Sequence, residues 1–125
     1  MKGSVDILLK ICLVFIFTAF FTCEELLLED DITQEIVEVI APTDNSVLTI
    51  TTVNFSWEPI EFADKYHLQI AVPSFQNALQ VVEDTLITQT NFTKSLVPEN
   101  YEWRVKALNS AYQTSYTTQA FSIEE

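Results

Sequence analysis

The sequence predicts an all-β fold: one antiparallel sandwich of about seven strands, preceded by an N-terminal signal segment and a tether. Past residue 35 the chain consists of short runs rich in Val, Ile and aromatic residues, separated by turn residues. Several runs alternate apolar and polar side chains, as strands with one buried face do. With 125 residues, 48% of them hydrophobic, the chain has room for one modest core.

The first 22 residues have the features of an export signal. Lys2 and Lys10 supply positive charge, and Ile11 to Thr22 are 12 consecutive uncharged, mostly apolar residues. That length suits a signal peptide and falls short of the roughly 20 residues that span a bilayer. Extending the run would bury Glu24 and Glu25, each at a cost of roughly 2.5 kcal/mol or more. We therefore expect a lipoprotein-type signal peptide over residues 1–22.

Cys23 resembles the cysteine of a bacterial lipobox, where signal peptidase II cleaves before a lipid-modified cysteine. The preceding Phe20-Phe21-Thr22 depart from the usual pattern of Leu or Val, a small residue, then Ala, Gly or Ser. Cys12 would leave with the signal peptide, so the mature chain could form no internal disulfide. Lipidation of Cys23, with palmitate among the acyl chains, would hold the domain at a membrane. The alternative is an uncleaved or conventionally cleaved leader with an incidental Cys23.

Residues 23–35 are predicted to form an acidic tether. Leu26 to Leu28 and Ile32 interrupt the acidic residues, but turn residues are lacking and there is little alternation. An acidic cluster after the lipid-bearing cysteine resembles the surface-export signals of Bacteroidetes lipoproteins. That resemblance implies a protein anchored to the bacterial outer membrane and facing outward. A solvated linker with an incidental charge run is the alternative.

The predicted domain, residues 36–125, contains the strand runs. The turn cluster Pro42 to Ser46 ends the first run, and Pro59 and Pro73 end the second and third. The sixth run alternates most clearly, with Trp103 inward and Arg104 in water. The runs in order are EIVEVIAP, TVNFSWEP, KYHLQIAVP, ALQVVED, TQTNFTKSL, YEWRVKALN and TTQAFSIEE.

The charge of the chain excludes one class of partner. The net charge is -12, and beyond Cys23 four basic residues stand against 17 acidic ones, because Lys2, Lys10 and Asp6 precede it. Such a surface repels phosphate backbones, so no nucleic-acid partner is expected. The acidity suits solubility, and the sequence predicts no metal or other cofactor. Calcium is disfavoured because the sole glycine, Gly3, lies outside any EF-hand pattern.

Two segments carry a resemblance to a known family. "VNFSWEPIEFADKYHLQIAV" and "LVPENYEWRVKALNSAYQTSYTTQAFSI" resemble a fibronectin type III domain, in the immunoglobulin-like variety found in Bacteroidetes lipoproteins. The resemblance implies that Trp57 is the core tryptophan and that the Tyr101 hydroxyl bonds to backbone near Leu96. The sequence departs from the pattern at Asn100 and Tyr112, where glycine is usual.

A non-catalytic role is expected. The single histidine, His67, falls on the outward face of its run, and no cysteine remains in the domain as a nucleophile. Acidic pairs such as Glu83-Asp84 are explained as solvated turn residues. Asp84-Thr85-Leu86 resembles the O-glycosylation motif of Bacteroidetes exported proteins, which implies a sugar on Thr85, although so short a pattern also arises by chance.

The loops offer the candidate binding residues. "PSFQNA" exposes Phe75, and "NSAYQTSY" offers Tyr112 and Tyr116. Rings beside amides and hydroxyls suit contact with a protein or a glycan. The alternative is that each ring folds back over the edge of the core. Three functions remain open: a membrane-anchored interaction or adhesion module, a glycan-binding accessory of a nutrient-uptake system, and a structural spacer.

Overall fold

The computed structural model describes residues 28–125, so the predicted signal peptide, Cys23 and the start of the predicted tether lie outside the described residues. The described chain is all β and forms two sheets packed as a sandwich. The strands are β1 (Val39–Ala41), β2 (Ser46–Leu48), β3 (Thr52–Trp57), β4 (Lys65–Val72), β5 (Gln80–Ile87), β6 (Asn91–Ser95), β7 (Asn100–Leu108) and β8 (Thr117–Ile123).

Eight strands form where about seven were predicted, because Ser46–Leu48, which follow the predicted turn cluster, form an additional strand in the larger sheet. The smaller sheet has the order β1-β3-β6, and the larger has the order β2-β8-β7-β4-β5. Between β1 and β2 the chain turns at Asn45, whose φ of 63° lies in the left-handed region that asparagine tolerates. Strand β2 then pairs in parallel with β8, whereas the other strand pairs are antiparallel.

The core lies between the sheets and is rich in aromatic rings. Trp57 and Trp103 are 1% and 0% exposed, and Phe55 meets the Trp103 ring edge-on with a centroid distance of 5.0 Å. The Trp103 indole donates a hydrogen bond to the Pro42 carbonyl at 3.1 Å. Edge-on aromatic pairs contribute about 0.5–1.5 kcal/mol beyond their buried area. The inward residues of the alternating runs therefore form one continuous core.

The turn before β7 has the hydrogen bond that the resemblance implied. The Tyr101 hydroxyl donates to the Val97 carbonyl at 2.6 Å, one residue from Leu96. Asn100 and Tyr112, the two departures from the family pattern, have negative φ, so neither position needs a glycine. Among the described residues positive φ occurs at Asn45 and Phe62.

The packed part of the chain begins further upstream than the predicted domain boundary at residue 36. Ile32, which falls within the predicted tether, is 2% exposed and belongs to the core, as does Val37. Charged neighbours such as Asp31 stay exposed, so the segment buries an apolar side chain without burying a charge. Full burial of a large aliphatic side chain stabilises by roughly 1.5–3 kcal/mol. From Ile32 onward the chain is therefore part of the packed domain.

An ion pair spans the two sheets along one side of the sandwich. Strand β5 is an edge of the larger sheet and β6 an edge of the smaller one. Lys94 on β6 lies opposite the buried Val53, and Glu83 on β5 lies opposite the buried Ile70. Their Nζ and Oε1 atoms are 3.6 Å apart. Inward-pointing charges of this kind hinder the pairing of an edge strand with another chain.

Candidate functional site

The polar side of the larger sheet brings together side chains from three adjacent strands. Because inward residues alternate with outward ones, His67 and Gln69 of β4 point away from the core. Register places His67 opposite Lys106 and Gln69 opposite Arg104, and Asp84 of β5 lies opposite Gln69 on its other side. We call this surface the outer face. We define it by the side chains of Lys65, His67, Gln69, Asp84, Glu102, Arg104 and Lys106, beside which Leu86, opposite His67, is exposed.

A chain of hydrogen bonds connects these side chains. The Tyr116 hydroxyl lies 2.6 Å from His67 Nδ1, and His67 Nε2 lies 2.5 Å from Asp84 Oδ1. Gln69 Nε2 donates to Asp84 Oδ2 at 3.0 Å, and Arg104 Nε donates to Gln69 Oε1 at 2.8 Å. An ionised carboxylate only accepts hydrogen bonds, so His67 Nε2 carries the proton. The network thus fixes side chains from three strands in one arrangement.

Two aromatic rings flank the guanidinium group at the end of this chain. The Arg104 Cζ atom lies 4.1 Å from the centroid of the Phe75 ring and 4.3 Å from that of Tyr116. Lys106 Nζ also lies 4.6 Å from the Tyr116 centroid. The Phe75 backbone N–H donates to Glu102 Oε1 at 3.0 Å, which ties the β4–β5 loop to the sheet. Ring contacts with cations contribute about 0.5–1 kcal/mol at exposed sites and more when desolvated.

The structure brings together two of the three predicted contact residues. Phe75 and Tyr116 are both half-buried against cations of the outer face, not over the edge of the core. Tyr112 lies elsewhere, in the β7–β8 hairpin, 36% exposed, with its N–H bound to Asn109 Oδ1 at 2.8 Å. Arg104 was missed as a site residue. Two sequence features could have identified Arg104. It is one of only four basic residues after Cys23, and it falls on the outward side of an alternating run.

Two open grooves lie next to these residues. One, of about 430 Å³, separates the N-terminal segment from the start of β8 and includes Gln34, Ile36 and Tyr116 in its lining. The other, of about 310 Å³, lies beside the β4–β5 loop and is lined in part by Ser74 and Asn100. Shallow grooves bordered by hydroxyl and amide groups suit surface recognition more than enclosure of a small molecule.

The pKa values along the network have identifiable causes. The hydrogen bond from His67, then that from Gln69, lowers the pKa of the Asp84 carboxyl, and the charges of His67 and Arg104 act in the same direction. Burial raises the pKa of the Tyr116 phenol, with Asp84 adding to the increase and Arg104 opposing it. At neutral pH the network therefore contains an anionic Asp84 and a neutral Tyr116.

Removing the histidine is expected to return the Asp84 carboxyl toward its ordinary pKa. In the wild-type protein the Asp84 carboxyl should titrate below the usual aspartate range, and in His67→Ala its midpoint should rise. Because the folded pKa is lowered, the stabilisation is present above the unfolded aspartate value of about 3.9 and is lost as pH falls through the folded pKa. Carbon-13 NMR of the carboxyl measures both midpoints, and an unchanged midpoint in His67→Ala would contradict this account.

Thr85, the predicted sugar site, is half-buried in β5. It pairs with the fully buried Leu68, so its side chain lies on the inward side of the sheet. That position argues against access to Thr85 in the folded domain. Within residues 28–125, no three or more His, Cys, Asp or Glu side chains are grouped to hold a metal ion. The same residues contain no helix suited to spanning a membrane.

Comparison with known proteins gives the fold its name. A scan of protein-family models finds no match, and neither does a search of curated proteins. Among solved structures, the fn3 domain of human collagen alpha-1(XX) chain is similar with a TM-score of 0.55 and 15% identity, covering 74% of this chain and 90% of that one. The fibronectin(III)-like modules of Clostridium thermocellum CbhA give a TM-score of 0.52 and 12% identity, covering 71% and 96%. The described residues therefore have the fold of a fibronectin type III domain.

Proposed function

We propose that this protein is a lipoprotein of the bacterial outer membrane, anchored through Cys23, whose fibronectin type III-like domain is a non-catalytic protein-interaction or adhesion module. The outer face is its contact surface. The observation that carries the interaction role is the arrangement of Arg104 between Phe75 and Tyr116. Arginine and aromatic side chains dominate the energy of protein interfaces, and here they are held in place before any partner binds.

The hydrogen-bonded order Tyr116, His67, Asp84 superficially matches a nucleophile, a base and an orienting carboxylate. Its surroundings favour binding over catalysis. The network lies on an open sheet face, where water competes for every polar group. Burial raises the pKa of the Tyr116 phenol, which opposes formation of the phenolate that would be the nucleophile.

The anchor is proposed from the sequence, because the short apolar run ends at Cys23 and no other cysteine would remain after cleavage. Metabolic labelling with a fatty acid tests this proposal. Label should enter the wild-type protein and be absent from Cys23→Ala. Absence of label from both proteins, or equal label in both, would contradict lipidation at this residue.

The interaction role is tested by co-purification of membrane partners with the full chain. Wild type should retain a partner that Arg104→Ala loses, whereas Lys94→Ala, on the smaller sheet, should retain it. Loss of the partner in Lys94→Ala alone would place the contact on another surface.

A second candidate function is glycan binding, and the groove of about 310 Å³ beside the β4–β5 loop favours it. Its lining includes the hydroxyl and amide side chains of Ser46, Ser74 and Asn100, which can bond sugar hydroxyls. A glycan-array signal that disappears in Asn100→Ala, without co-purifying membrane proteins, would favour this function over the first.

A further inference from the structure

We propose that the partner docks an extended acidic segment on the outer face, with carboxylates bound by Arg104, Lys106 and Lys65. This inference rests on the proposed function and names the chemistry of the partner. It is carried by three features of the surface: the distribution of charge, the hydrogen-bonding state of Arg104, and the spacing of the three cations.

The charge of the described chain is divided unequally between the outer face and the remainder. Residues 28–125 contain 4 basic and 15 acidic residues. Three of the four basic residues belong to the outer face. The acidic residues that define this face are Asp84 and Glu102, so the charge of the outer face is +1. The remainder keeps Lys94 and 13 acids, a charge of -12. On so acidic a chain, this face is where basic side chains outnumber acidic ones, which suits contact with carboxylates of a partner.

Arg104 is prepared to bind a carboxylate with two parallel hydrogen bonds. Its Nε is satisfied by Gln69 at 2.8 Å, and the rings of Phe75 and Tyr116 restrict the guanidinium plane. Neither terminal nitrogen, Nη1 or Nη2, makes a hydrogen bond to any described residue. The planar fork of arginine matches a carboxylate in this two-bond geometry, and a restricted fork loses little entropy on binding.

The spacing of the three cations matches the spacing of alternate residues in an extended chain. Arg104 and Lys106 are two residues apart on β7. Lys65 lies on β4 opposite Leu108, which is two residues beyond Lys106. Alternate residues of an extended strand lie about 7 Å apart and point to the same side. A segment running along β7 with acidic residues at alternate positions would therefore place a carboxylate near each cation.

A membrane surface fits the outer face less well than a protein does. Attraction to anionic lipids typically needs clusters of 4–8 Lys or Arg residues. Here three cations are accompanied by Asp84 and Glu102, and His67 is hydrogen-bonded to Asp84. The mixed charges suit a partner with carboxylates at defined positions more than a uniformly anionic surface.

The test is a titration of the full chain, purified in nonionic detergent, against two labelled octapeptides, with binding followed by fluorescence anisotropy. One peptide alternates Thr and Glu and the other alternates Thr and Gln. The acidic peptide should bind and weaken as salt rises, whereas the neutral peptide should not bind. Arg104→Lys, which keeps the charge and removes the fork, should weaken binding about 10- to 100-fold. Lys106→Gln should weaken it about 2- to 5-fold.

The matched control is Lys94→Gln, which removes one positive charge away from the outer face and should leave binding within about twofold of wild type. Equal binding of both peptides would overturn the acidic segment while leaving an interaction module. Equal affinity of Arg104→Lys and wild type, or no peptide binding, would also overturn it.

Oligogalacturonate and anionic vesicles are titrated in the same way, as probes for an acidic glycan and for a membrane. Binding of oligogalacturonate but neither peptide would overturn both this inference and the protein-interaction function. Binding only to anionic vesicles, or self-association lost in Arg104→Lys, would replace the occupant with a membrane or a second copy.

Discussion

Replacement of Ile32 by Ala is expected to lower the free energy of unfolding by about 2–5 kcal/mol, the range for large-to-small substitutions of fully buried aliphatic residues. Ile32 is 2% exposed and packs in the core, although its sequence context is that of an acidic tether. The loss combines the transfer free energy of the deleted methyl groups with the cavity left between the sheets. Urea denaturation followed by tryptophan fluorescence measures it.

Ile36→Ala is the matched control for this prediction. Ile36 lies four residues further along the same segment and is 72% exposed, so its replacement should change the free energy of unfolding by less than about 0.5 kcal/mol. Equal effects of the two substitutions would mean that the segment does not pack as described, and the boundary of the domain would move back toward residue 36.

Replacement of Asn109 by Ala is expected to cost about 2–4 kcal/mol of stability, because this buried side chain uses all four of its hydrogen bonds. Its Nδ2 donates to the carbonyls of Asp30 at 2.8 Å and Phe62 at 3.2 Å. Its Oδ1 accepts from the N–H groups of Ala111 at 3.1 Å and Tyr112 at 2.8 Å. Alanine would leave these backbone groups without a partner and separate three segments of the chain. Urea denaturation measures the loss.

Asn100→Ala, at an exposed position that starts β7, should by comparison change stability by less than about 0.5 kcal/mol. Hydrogen exchange adds a positional readout for Asn109→Ala. The amides of Ala111 and Tyr112 should lose protection more than those of the β4 centre. Uniform loss of protection across all strands would argue against a local connecting role for Asn109.

Most of the fold follows from local sequence signals. Strands β3, β4 and β7 have one buried face, so their alternation reveals both their existence and their inward residues. Strand β2 was missed because it has three residues, begins in a turn cluster, and is stabilised by pairing with β8 at the far end of the chain. Ile32 was missed because a single apolar residue among acids has no periodicity.

The candidate site was predictable only in part. Phe75 and Tyr116 were recognised as loop aromatics, but so was Tyr112, and nothing local to the three residues separates them. Their positions depend on the register of β4 with β7 and on the path of two loops, which long-range pairing sets. The same is true of Arg104, whose outward orientation follows from alternation but whose two flanking rings do not. Register is a property of the assembled sheet.

The central claim is that the outer face of the larger sheet is the recognition surface. Photo-crosslinking on intact cells tests it most directly, with the crosslinking residue placed in the full chain at Thr118, exposed on β8 opposite Arg104, or at Thr93, exposed on the smaller sheet. A partner should be crosslinked from Thr118 and not from Thr93. Crosslinking from Thr93 alone, equal crosslinking from both positions, or none from either would contradict the account.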